Sequence, residues 1–257
     1  MEKILNQLNL GNISLYEKVT GGRDSVVFKV QNINGKTYAI RILPKERVEQ
    51  FRQEAQLMEV ATNNGIPVPA VQEVKVVDDH AVMIMNWGKG RTVLEELLAS
   101  PENAIKLGRN FGRMQRRLHD VMPSHLGQSK WLEPQNKQEK ELYKKATLAN
   151  DEEKVRFLHM DYHPLNVLAE KNKIAGVLDW VNASTGDYRF DLARTYSILT
   201  GEEARKYLGI NKSVIMNFSE AWLDGYYMDR KERDNFDLFL EWAKLRLSRE
   251  LAVNSIS

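Results

Sequence analysis

Phe157-Leu158-His159-Met160-Asp161-Tyr162-His163-Pro164-Leu165-Asn166-Val167-Leu168 opens the stretch on which the reading of this chain turns. A polar segment follows, and then Gly176-Val177-Leu178-Asp179-Trp180 and Gly186-Asp187-Tyr188-Arg189-Phe190-Asp191-Leu192-Ala193. Val167-Leu168 and Ile174 to Leu178 are β-rich runs, so Ala169-Glu170-Lys171-Asn172-Lys173 between them reads as the turn region of a hairpin. Such a hairpin folds Asp179 back beside Asn166. Asp161 lies between apolar Phe157-Leu158 and a turn containing Pro164, which puts it at the end of a strand. One supersecondary unit thereby gathers a carboxylate, a carboxamide and a second carboxylate.

That set suits phosphoryl transfer. The group in flight carries dense negative charge, hard divalent cations neutralise it, and Mg²⁺ prefers one or two carboxylates together with phosphate oxygens. Asp179 suits the metal directly, Asn166 can reach a metal from the same loop, and Asp161 can accept a proton from an attacking hydroxyl. An H-x-D-x-x-x-x-N pattern alone carries little weight, because short patterns recur by accident; the flanking hairpin gives it force. The competing reading takes His159, Asp161 and His163 as the metal cluster of a hydrolase. It fares poorly, because a His pair four apart binds zinc from one helical face and Pro164 disfavours helix at His163. His80, His119 and His125 fall in unrelated elements, and the chain has no cysteine.

Composition narrows the partners. Among 257 residues, lysine and arginine number 37 against 35 acidic residues, and a net charge of +2 leaves no global electrostatic footprint for nucleic acid or membrane. A small-molecule partner is expected; oligomeric state is not legible. With no cysteine, disulfides and thiolate catalysis are excluded, which fits a reducing compartment. Met1 to Leu10 carries Glu2 and Lys3 and lacks the apolar centre of a signal peptide. No apolar run approaches the roughly 20 residues that span a bilayer, so a cytoplasmic protein is expected.

Residues 13–43 alternate in β fashion with turns at Gly21-Gly22 and Asn34-Gly35, predicting three antiparallel strands. A helix follows from Pro44, with Val48, Phe51, Ala55, Met58 and Thr62 on one face and Asn64-Gly65 as its stop. Strands are predicted at Val71 to Val77 and Ala81 to Met85. After Gly90 the period becomes helical, Ser100-Pro101 starting a helix with a stripe of Ala104, Leu107, Phe111, Met114 and Leu118. Residues 123–155 read as loop plus a short helix, and the chain beyond Gly201 as mostly helical, with Ile215, Phe218, Trp222 and Tyr226 on one face. The shift in pattern divides the chain into 1–87 and 88–257. The fold class is α+β: an N-terminal antiparallel sheet with one helix, then a mostly helical lobe.

Within the third strand, Tyr38, Ile40 and Ile42 point one way and Ala39, Arg41 and Leu43 the other. A small residue at Ala39 leaves room for an adenine ring, Arg41 on the same face can meet phosphates, and Glu54 on the first helix is the carboxylate to hold Arg41. The backbone at Gly21-Gly22, with Ser25 just beyond, can approach phosphates closely. Each feature is commonplace by itself; their order along the chain agrees with one architecture.

With those residues in view, the chain resembles the aminoglycoside phosphotransferase and choline kinase-like family, small-molecule relatives of protein kinases. Leu158 to Leu168 looks like that family's catalytic loop, and Val177-Leu178-Asp179-Trp180 with Gly186-Asp187 and Asp191-Leu192-Ala193 like its metal-binding strand and the segment after it. Tyr38 to Ile42 resembles the phosphate-contacting strand, and Leu107 to Val121 the long helix before the catalytic region. The resemblance implies a bilobal protein kinase-like fold, ATP or GTP held near Met85 to Trp87, Asp161 as base, Asn166 and Asp179 as magnesium ligands, and Asp187 and Asp191 as braces. Arg41 stands where protein kinases have lysine. No Ala-Pro-Glu segment follows Asp179, so the acceptor should be a small hydroxyl compound held by residues 123–155 and the C-terminal helices. Glu220 and Asp224 lie one helical turn apart, an arrangement that suits either a cationic acceptor or, more often, a solvated face. The rival reading is a nucleotide-binding pseudokinase with a regulatory role.

Overall fold

Alternation along a strand sends every second side chain to the same face, and residues 37–44 obey it strictly. In the computed structural model, which describes residues 1–19, 25–122, 130–148, 152–202, 206, 209–228 and 236–254, this segment is the centre of a five-stranded antiparallel sheet. Its strands are β1 (Ile13–Val19), β2 (Val26–Asn32), β3 (Thr37–Pro44), β4 (Val71–Val77) and β5 (His80–Asn86), ordered β1-β2-β3-β5-β4. Tyr38, Ile40 and Ile42 join Val30, Val82 and Ile84 in one apolar cluster. A short helix, α1 (Glu2–Leu5), and the turn after it bring Ile4, Leu5, Leu8 and Leu10 into the same cluster. That helix is too short to show a helical period, and pattern reading passed over it.

Helix α2 (Val48–Asn63) packs on the face that carries Arg41, whose guanidinium carbon lies 5.3 Å from the centre of the Phe51 ring. The helix stops at Asn64, and Gly65 takes the left-handed conformation at φ 73° that favours glycine after a helix end. Its buried stripe is Phe51, Glu54, Met58 and Ala61 rather than the predicted Val48, Phe51, Ala55, Met58 and Thr62. The helix is turned so that Glu54 faces inward, a burial that an apolar pattern cannot anticipate.

The chain divides into two compact units, Met1–Lys89 and Gly90–Ser257. In the second, β6 (Arg91–Thr92) leads into α3 (Val93–Ala99), whose start is closed by a capping box between Thr92 and Glu95. There follow α4 (Ala104–His119), α5 (Lys137–Thr147), β7 (Val155–Leu158), β8 (Val167–Glu170), β9 (Lys173–Val177), β10 (Ser184–Asp187), α6 (Tyr188–Thr200), α7 (Lys212–Tyr226) and α8 (Asp237–Asn254). Two small sheets, β6-β8-β9 and β10-β7, sit among these helices. Helix α4 buries Ala104, Leu107, Phe111 and Leu118 as expected, but Gln115 and His119 are buried with them while Met114 is only half-buried. Among the described residues, no helix is long and apolar enough to cross a membrane.

Helices α4 and α7 meet backbone to backbone. A Cβ placed on Gly112 would lie 2.0 Å from the Trp222 carbonyl oxygen, and one on Gly225 would lie 2.2 Å from that of Arg109. Gly112→Ala is therefore expected to lower the unfolding free energy by about 1–3 kcal/mol, the range for overpacking a well-filled contact. Urea unfolding measures it, and an unchanged midpoint would show that the helices do not approach this closely.

Candidate active site

Asp191, in the first turn of α6, is fully buried and binds four partners. Its Oδ1 accepts the backbone N–H of Met160 at 2.7 Å, and its Oδ2 accepts that of His159 at 3.3 Å. His119 Nε2 lies 2.8 Å from Oδ2, and the Gln115 amide donates to the same oxygen at 3.4 Å. Burial pushes this carboxyl up, but the hydrogen bond and charge of His119, with His159 and the Met160 N–H, outweigh it and hold the group below its ordinary value. An anion on α6 thus grips the backbone of the loop after β7. Met160 is held there at φ 63°, a conformation that a side-chain-bearing residue rarely adopts without such outside support.

The next residue is Asp161. Asn166 donates its amide N–H to the Asp161 Oδ2 and to the Asp161 carbonyl, each at 3.0 Å. His163 Nε2 stands 3.4 Å from Oδ2, and Arg194 Nη2 stands 3.6 Å from Oδ1. Burial pushes the Asp161 carboxyl up, yet His163, Arg194 and His159 together more than cancel that and keep it well below the usual carboxylate range. Its side chain is 21% exposed, so an outside group can reach it. Pro164 sits in a turn in which the Asn166 N–H donates to the His163 carbonyl at 2.9 Å, as the Pro-containing segment predicts.

Strands β8 and β9 form the predicted hairpin, with Lys171 at φ 51° and Asn172 at φ 65° in its turn, the two positive values that a tight type I′ connection requires. Just beyond the ladder the Leu178 N–H donates to the Asn166 carbonyl at 2.7 Å, which places Asp179 one residue from that contact. His159 Nε2 lies 2.9 Å from the Leu178 carbonyl, and its ring meets Trp180 edge-on at 4.8 Å. Trp180 is fully buried and stacks on Phe157 at 5.5 Å. Asp179 is therefore fixed through both chain neighbours, and its φ of 58° is held by them.

These contacts also bear on the zinc reading. His159 has no exposed surface, its Nε2 is engaged by Leu178 and its Nδ1 accepts the Asp161 N–H at 3.3 Å, so the ring serves the loop's shape rather than a metal. Burial lowers its pKa. The sequence placed His119 in an unrelated element; the structure brings it to Asp191, and Gln115 one turn earlier on α4 reaches the same carboxylate. Among the described residues, no group of three His, Cys, Asp or Glu side chains is placed to hold a metal.

In the first unit, Arg41 and Glu54 form an ion pair, with Glu54 1% and Arg41 8% exposed. Arg41 Nε donates to the Ser25 hydroxyl at 3.1 Å. Ala39 is paired across the ladder with Met85, and both are buried, whereas Trp87 is partly exposed with the Lys29 ammonium 5.1 Å from its ring centre. The structure thus brings Ser25, Arg41 and Glu54 together and sets Ala39 beside Met85. Gly21 and Gly22 lie outside the described residues. Glu220 and Asp224 are exposed on α7. Asp187 caps α6, accepting the Arg189 N–H at 3.0 Å and pairing with the Arg189 side chain.

Pattern reading missed Gln115, His119, Tyr162 and Arg194. Polar residues buried on helices break the apolar stripe, and an i, i+4 pair of Gln115 and His119 inside α4 was the one available signal. Tyr162, fully buried, donates its hydroxyl to the Phe111 carbonyl at 2.9 Å, while its own carbonyl accepts the Thr195 hydroxyl at 3.0 Å.

Comparison with known proteins gives the family and the fold. The sequence model of the phosphotransferase enzyme family matches residues 16–153 and 141–235. The chain belongs to that family. Its fold is shared with aminoglycoside-3'-phosphotransferase of type VIII, at a TM-score of 0.65 and 17% identity over 90% of this chain and 92% of that one. Aminoglycoside phosphotransferase APH(3'')-Id from Streptomyces rimosus matches at 0.61 and 16% identity over 89% and 92%. Macrolide 2'-phosphotransferase MphH from Brachybacterium faecium matches at 0.56 and 15% identity over 92% and 84%. At such identities the likeness establishes the kinase-like fold alone. No curated protein sequence matches the chain significantly.

Asp191→Ala removes the acceptor of two buried backbone N–H groups and the partner of His119, a loss expected to cost about 3–5 kcal/mol at neutral pH. Because the folded state holds this carboxyl below its ordinary value, its contribution is present above about pH 4 and fades as acid protonates it. Urea unfolding of both proteins across that range should show the difference shrinking toward low pH; a constant difference would mean that Asp191 does not act as an anion.

Proposed function

We propose that this protein transfers the terminal phosphoryl group of a nucleoside triphosphate, ATP or GTP, to a hydroxyl of a small molecule, with magnesium. The observation that carries the reading is the state of Asp161. Asn166 and His163 engage Oδ2, while among the described residues Oδ1 makes no hydrogen bond and faces Arg194 at 3.6 Å, so an ionised oxygen is left for an incoming hydroxyl. In the step proposed, the acceptor oxygen bonds to phosphorus as the bond from phosphorus to the bridging oxygen breaks. Asp161 orients the hydroxyl and takes its proton.

The donor set fits the metal. Asn166 commits its amide nitrogen to Asp161, which turns its carbonyl oxygen to the role of ligand, and with the Asp179 carboxylate this gives the hard oxygens that magnesium takes. When bound, the ion would neutralise charge on the β- and γ-phosphate oxygens. In the first unit, Arg41 held by Glu54 supplies the cation for phosphates, with the Ser25 hydroxyl beside it, and Ala39, Met85 and Trp87 supply the surroundings of the base. The relatives support nucleotide and antibiotic substrates in this family: aminoglycoside phosphotransferase APH(4)-Ia has been solved with AMP-PNP and hygromycin B, and APH(3'')-Id with ADP and streptomycin.

An acceptor panel of aminoglycosides, macrolides, choline, homoserine and sugars with labelled nucleotide tests the reading. Asp161→Asn is expected to lower turnover by about 10²–10⁴-fold with a cooperative unfolding transition retained. Thermal stabilisation by nucleotide without turnover on any acceptor would favour the pseudokinase instead. Arg41→Ala should raise the KM for nucleotide; it should also lower stability by about 3–5 kcal/mol, because the buried Glu54 carboxylate loses the cation it faces.

A further inference from the structure

Arg194 lies one helical turn beyond Asp191 on α6 and is only 5% exposed. Its Nη2 donates to Glu250 Oε2 of α8 at 2.6 Å and stands 3.6 Å from Asp161 Oδ1. The Trp131 ring centre is 5.2 Å from its guanidinium carbon. Its Nε and Nη1 are buried, and among the described residues neither has a hydrogen-bond partner. A guanidinium retained for stability should have its donors satisfied, since a buried N–H without an acceptor is destabilising. An apolar side chain of similar length would fill this space at less cost. Its unsatisfied burial beside the one carboxylate expected to do chemistry calls for a different reason.

Glu250 is itself fixed in place. One turn earlier on α8, Arg246 is 2% exposed, donates to Glu139 Oε2 of α5 at 3.0 Å and to the Glu133 carbonyl at 3.1 Å, and lies 4.6 Å from the Trp131 ring centre. Trp131 is thus flanked by two guanidinium groups. A continuous set of contacts runs from α5 through α8 to Arg194 and ends at Oδ1 of Asp161.

We propose that Arg194 is a positioning residue that fixes where Oδ1 of Asp161 stands, and that Glu250 sets the place of the Arg194 guanidinium. The inference rests on the phosphotransfer reading for its kinetic consequence. Its structural consequence stands independently.

The test uses the full chain and nucleotide turnover in the presence of magnesium, with water or any active acceptor. Arg194→Met should lower kcat by between about ten- and a hundredfold, the scale of a small misplacement at a reacting centre. The KM for nucleotide should stay unchanged and Tm should stay level or rise. Arg194→Lys, which keeps the charge, should recover part of the loss. Glu250→Gln should lower kcat in the same manner, and the double variant should be no worse than Arg194→Met alone. Unchanged kcat in Arg194→Met, a fall in Tm with kcat retained, or additive losses in the double variant would each overturn the proposal. If the wild-type protein turns over no nucleotide, the phosphotransfer reading fails by itself. The positioning claim is then judged by a crystal structure of Arg194→Met: a displaced Asp161 carboxylate with its Asn166 hydrogen bond lost supports it, and an unmoved carboxylate overturns it.

Discussion

The buried carboxylate of Asp191 is the contact on which the second unit's loop depends. It satisfies two consecutive backbone N–H groups that no strand or helix could satisfy, and it does so from a helix that is itself packed against α4 through His119 and Gln115. Backbone held in this way can adopt the left-handed conformation at Met160 and present Asp161 at a set angle. The hydrogen-bonded pair of His119 and Asp191 is buried, so removing either partner leaves the other's polar group unsatisfied, which makes the contact a strict geometric constraint.

A second regularity links the two units: each carries a buried acid held by a cation from a different element. Glu54 answers Arg41 in the first, and Glu139 answers Arg246 and Arg249 in the second. In both cases a helix is locked in rotation by charge rather than by apolar fit alone. This accounts for the rotated stripe of α2. It also accounts for α8, whose sequence shows almost no one-sided pattern because buried Arg246 and exposed Leu238 blur it.

Much of this was legible in the sequence, for identifiable reasons. The five strands of the first sheet, the hairpin at Lys171-Asn172 and the faces of β3 follow from alternation and turn chemistry, both of which are local. Arg41 with Glu54 was readable because a strand fixes which residues share a face and a following helix limits which carboxylate can reach. The loop around Asp161 was readable from its own spacing. The rest depended on long-range packing. His119 and Asp191 are 72 residues apart, and Arg194 and Glu250 are 56 apart, so no local period connects them. Helix α1 escaped notice because its apolar residues answer to a sheet made later in the chain.

That last arrangement bears on the order in which the first unit can form. Ile4, Leu5, Leu8 and Leu10 precede the sheet in sequence, yet the cluster they enter includes Val82 and Ile84 of β5. Until β5 has paired with β3, that segment has only part of its berth, and its leucines stay wet. The core of the first unit thus rests on contacts distant in sequence, whose loop-closure entropy must be met before they stabilise anything.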